Sequence, residues 1–133
     1  MNHPTVSPGF RLSMLDSVVL VVGASATAGL AFVVTWAAFV VAFVVVHFFL
    51  FCNVFRISRS LELAWGALFI LLSATTLLTD QPGWLMTAVF SLVATAFVVI
   101  LEMRKPSYHG VGWQCLNPGL PDWWESNLGK SVP

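Results

Sequence analysis

From Ser17 to Phe55 the chain runs 39 residues without one Asp, Glu, Lys or Arg. A second charge-free run covers Leu63 to Thr79 and a third covers Gln81 to Leu101. About 20 apolar residues carry a helix across a hydrocarbon core about 30 Å thick. The two later runs have that length, and the first is nearly twice as long. All three are rich in Val, Leu, Ala and Phe, and none alternates with the period of two that a membrane barrel strand needs. Inside lipid every backbone polar group must be satisfied within its own segment or a closed barrel. No proline falls between positions 9 and 81 to interrupt a helix there. The pattern predicts an all-α integral membrane protein.

The first run decides the number of spans. As one helix it would extend about 58 Å at about 1.5 Å per residue, so it would tilt steeply or protrude. As two spans it needs a turn near Val33 to Ala37, where the chain reads Val-Val-Thr-Trp-Ala. No Gly, Pro, Asn or Asp lies between Leu30 and Phe51, so the usual turn chemistry is missing. The expectation is three transmembrane helices over about 13–55, 61–79 and 84–104, the first unusually long; four spans are the alternative. Ser13 followed by Asp16 makes a capping pair for the first helix. Glu62 in the first turn of the next suits the helix dipole. Asp80-Gln81-Pro82-Gly83 is a compact breaker, which makes the last two spans an antiparallel hairpin. Residues 1–12 then form an N-terminal segment, 13–105 the transmembrane domain, and 106–133 an irregular tail rich in Trp, Pro and Gly.

Charge adds an orientation. Arg56 and Arg59 precede the hairpin, Arg104 and Lys105 follow it, and the loop at its other end has no positive charge. The positive-inside rule puts these four residues at the cytoplasmic headgroups, with the C-terminal tail in the cytoplasm of an inner or plasma membrane. One long first helix leaves the N-terminus outside, whereas two return it, with Arg11, to the cytoplasmic side. No cleavable signal peptide is expected. Composition agrees: 58% of residues are apolar and 9% charged, with zero net charge. That balance excludes a basic nucleic-acid binder, and two cysteines exclude a disulfide-built module.

Candidate chemistry is sparse. His47 is the one ionisable side chain in the first run, and intramembrane ionisable residues are functional candidates. Its sharp reading is an axial ligand for haem or a chlorophyll-type pigment; its bland one is a residue bonding water or lipid near the headgroups. His3 and His109 lie outside the spans, so an in-chain bis-His haem site is not expected. Cys52, Asn53 and Arg56 share a helix face at the cytoplasmic exit, a snorkelling end or a headgroup site. Gly23, Thr27 and Ala31 recur at spacing four, and such small residues let helices approach closely; a partner helix is the favoured occupant. Ser73, Thr75, Thr76, Thr87, Ser91 and Thr95 read as hydroxyls bonding the backbone. Trp113, Trp123 and Trp124, with Tyr108 and His109, suggest a tail held against the membrane surface or a partner. Motifs for nucleotide binding, nucleophilic catalysis and zinc hydrolysis are missing, and Glu62, Asp80 and Glu102 sit at span ends. The expectation is a small accessory or structural subunit of a larger membrane complex: not an enzyme, and with no cofactor, its contacts being lipids and other subunits. A pigment- or haem-binding subunit using His47 is the alternative.

Overall fold

A computed structural model of the chain describes residues 7–128; His3, the start of the N-terminal segment and the end of the tail lie outside them. Among the described residues all regular structure is helical. The long first helix of the sequence expectation is two helices, α1 (Met14–Ala31) and α2 (Thr35–Phe49), the latter prolonged by a π-helical turn, Leu50–Val54. They are followed by α3 (Arg59–Thr79) and α4 (Trp84–Met103), then by two short tail helices, α5 (Trp113–Leu116) and α6 (Leu120–Leu128). Four helices are thus long and apolar enough to cross a membrane, counting α2 through its π turn.

The break between α1 and α2 uses no conventional turn residue. Val33 and Val34 N–H both donate to the Leu30 carbonyl, at 3.0 and 2.7 Å. Val34 then adopts an extended conformation (φ −141°, ψ 91°) and caps α2, its carbonyl accepting from Ala37 and Ala38. Folding back lets α1 pack along α2, which a single rod could not do. The tightest point is Gly23: a Cβ there would lie 2.5 Å from Val45 Cγ2. The start of α1 is as expected, with Ser13 and Asp16 in a reciprocal capping box.

α3 and α4 form the second hairpin, closed by Asp80, whose left-handed φ of 57° ends α3. Their seam is lined by hydroxyls: Thr76 and Thr87 bond each other at 2.9 Å. Ser91 donates to the Thr87 carbonyl, and Thr95 to that of Ser91. Between the hairpins the filling is aromatic. Phe43 and His47 of α2 and Phe51 of the π turn meet Trp65 and Phe69 of α3, while Trp36 stacks on Trp84 at the loop end. Small residues draw helices together within each hairpin, and large rings hold the hairpins apart.

The two ends of the bundle differ. Loops 32–34 and 80–83 share one end. The described N-terminal residues, the 55–58 connector and the tail share the other, where Gly9 N–H donates to the His109 carbonyl at 2.7 Å and Arg11 N–H to that of Asn53 at 3.2 Å. The tail is docked at this end and partly helical. α6 covers nine residues, with Pro121 in its first turn where the missing N–H costs nothing, and Leu120 is fully buried.

Candidate functional site

α2 positions His47 at the centre of the aromatic layer, 2% exposed. Its Nδ1 lies 2.8 Å from the Phe43 carbonyl, one helical turn back. A carbonyl only accepts, so Nδ1 carries the hydrogen and Nε2 of the neutral ring is left with a lone pair. That lone pair has no partner. An anchored imidazole with a free Nε2 is how proteins prepare a metal-ligating histidine. The surroundings oppose that use: Trp65 stacks on the ring at 4.5 Å and 17°, Phe43 covers it at 4.3 Å, and Phe51 closes an edge. A haem or chlorophyll-type macrocycle bonded to Nε2 needs open volume in the plane of the imidazole, and Nε2 is itself buried inside the protein, so the residues present do not fit that group. Trp65 is itself pinned, its indole N–H donating to Thr95 Oγ1 at 2.9 Å and the Ser91 carbonyl at 3.1 Å. His47 therefore links the hairpins from a buried position, where it does not reach water or lipid.

The second concentration of polar groups is the end bearing both termini. Of the charged side chains among the described residues, only Asp80 lies at the opposite loops. Glu102, at the end of α4, is 5% exposed, and its carboxylate accepts from Ser58 Oγ at 2.9 Å and Lys105 Nζ at 2.8 Å. Lys105 Nζ also donates to Ser58 at 2.9 Å. This triangle ties the start of α3 to the end of α4. Since Ser58 Oγ is spent on Glu102, no side chain caps the first N–H groups of α3. One turn further, Glu62 accepts from Arg59 at 3.2 Å and faces the Cys52 thiol at 3.8 Å.

Cys52 and Arg56 line one cleft, but Asn53 is not part of it. The Asn53 amide is buried and turns the other way, donating to Asp16 Oδ2 at 2.8 Å and to the Arg11 carbonyl. Arg56, left-handed at φ 50°, donates to the Ser7 carbonyl at 2.8 Å. The π turn is satisfied from outside: the Val54 carbonyl accepts from Val111 N–H at 2.8 Å. Tyr108 is 1% exposed and donates to the Val111 carbonyl at 2.8 Å. Gly110 packs so closely that a Cβ would stand 2.5 Å from the Phe55 carbonyl oxygen.

The remaining predicted positions are scattered. Gly23 is taken up by α2 of the same chain, Thr27 is half-buried and donates to the Gly23 carbonyl, and Ala31 is exposed. Trp113, Trp123 and Trp124 are half-buried, with Trp124 beside His109 at 5.6 Å. Arg59 and Arg104 are exposed, and both cysteines are free. Among the described residues no three His, Cys, Asp or Glu side chains gather as metal ligands. The Ser58–Glu102–Lys105 triangle and the Tyr108–Gly110 dock were missed in the sequence. Glu102 and Lys105 at spacing three were a local signal; Ser58, 44 residues earlier, gave none. Comparison with protein-family models, curated proteins and solved structures finds nothing that matches this chain.

Proposed function

We propose that the chain crosses a membrane four times, with both termini in the cytoplasm, and serves as a non-enzymatic accessory or structural subunit of a larger membrane complex. The observation that carries this is the state of α1. Only Gly23 of its 18 residues is buried, and it packs along one neighbour, α2. Its outward surface includes the exposed small residues Ala24, Ser25, Ala28 and Gly29. Lipid tails are met equally well by bulky side chains; a surface of small ones lets another helix approach closely. The half-buried tail tryptophans add anchoring surface at the cytoplasmic face. Haem or pigment binding through His47 has less support, because the ring is enclosed.

Cross-linking mass spectrometry in the native membrane tests this reading. The expected result is a recurrent neighbour joined through α1 and the tail, which co-purifies in mild detergent. Gly29→Leu, where a Cβ meets nothing within 4 Å, should weaken co-purification without unfolding the chain. A chain that migrates alone as a stable monomer, with no recurrent cross-link, contradicts the proposal.

A further inference from the structure

Two open cavities share Glu62 in their linings. Toward the terminal end lies a cleft of about 460 Å³, bordered by Cys52, Arg56, Ser58, Arg59, Glu102 and His109. Toward the membrane interior lies an apolar groove of about 440 Å³ between α2 and α3, bordered by Val44, Phe48, Leu63, Gly66 and Ile70. Glu62 lines both. From Glu62 to Ile70 the groove follows α3 for about 12 Å at about 1.5 Å per residue, most of one leaflet. Each cavity has the size of a small-ligand site, roughly 300–1,000 Å³.

Gly66 lines the groove. It sits within α3, where glycine is less favourable than alanine by about 1 kcal/mol. Yet a Cβ on it would meet nothing within 4 Å. The chain's own packing does not require a glycine there.

We propose that the two cavities together hold one phospholipid whose headgroup carries both a phosphate and a primary ammonium, with an acyl chain along Gly66. The phosphate sits by the Arg56 and Arg59 guanidiniums. The ammonium sits on Glu62, whose Oε2 already accepts from Arg59 while Oε1 faces only the Cys52 thiol, a weak donor. A methylated choline has no N–H to donate to Oε1, and a glycerol headgroup has no cation. The charges thus select among lipids that the apolar groove alone would accept equally. The inference rests on the chain spanning a membrane, not on its accessory role.

Native mass spectrometry of the full chain in mild detergent, offered equal amounts of phosphatidylethanolamine, phosphatidylcholine and phosphatidylglycerol with the same acyl chains, provides the test. Wild type should retain the ethanolamine lipid on the order of tenfold over the other two, the scale of one charge-assisted hydrogen bond. Glu62→Gln should abolish the preference, and Gly66→Leu should lose the adduct, both with unchanged helical circular dichroism. Equal retention by wild type, a preference for the glycerol lipid, or a preference that survives Glu62→Gln overturns the proposal. Failure of the membrane reading itself looks different: the chain would be released from membranes by alkaline carbonate.

Discussion

At the scale of single residues, burial and not identity decides what the few polar groups do. Glu102 and Glu62 both stand at span ends, yet Glu102 is enclosed, with Ser58 and Lys105 on one carboxylate oxygen, while Glu62 is half-buried, with Arg59 on one oxygen and the weak Cys52 donor on the other. Tyr108 makes the same point. Burial, reinforced by the Glu102 carboxylate, pushes its phenol above the usual tyrosine value. The folded chain therefore holds this proton more tightly than the unfolded chain does. The stability it contributes is complete below the unfolded value of about 10 and is lost as pH rises through the folded one. Because Tyr108 is the one tyrosine in the sequence, phenolate absorbance during an alkaline titration reports it alone. Its midpoint is expected above 10, and a midpoint at or below the free value would show that the tail is not docked.

At the scale of elements, close approach is what turns the first apolar run into a hairpin. Gly23 is the only buried residue of α1 and meets the branched side chain of Val45. Gly23→Leu should destabilise the protein by about 1–3 kcal/mol, the usual cost of forcing bulk into a packed contact. Combined with Val45→Ala, part of that loss should return, because contacting residues are not additive. Thermal denaturation in detergent measures both, and additive effects would place α1 away from α2. The break at Val33-Val34 was not legible as a turn because its residues carry no turn signature. What makes it a turn is the pairing of α1 with α2 and the stacking of Trp36 on Trp84, contacts made only once the chain has folded.

At the scale of the molecule, the charges sort to one end and the aromatic layer joins two hairpins. In the absence of the native cysteines Cys52 and Cys115, single cysteines introduced at Val33 and Gln81 should react with an impermeant thiol reagent from one side of the membrane. Cysteines at Phe10 and Ser107 should react only from the other. Reaction of positions 10 and 107 from opposite sides would restore the single long first helix, and with it an odd number of spans.

The sequence by itself determined what composition and period can specify: helices, their apolar surfaces, the Asp80–Gly83 turn, the Ser13–Asp16 cap and the grouping of Arg56, Arg59, Arg104 and Lys105. Each of these depends on residues that are near neighbours in the chain or on properties summed over a segment. Tertiary structure alone decided that 13–55 folds back on itself, that His47 is walled in by Trp65, that Ser58 reaches Glu102, and that Tyr108 seats the tail against the π turn. Those outcomes depend on volumes and hydrogen-bond partners supplied from distant parts of the chain, and local spacing holds no record of them.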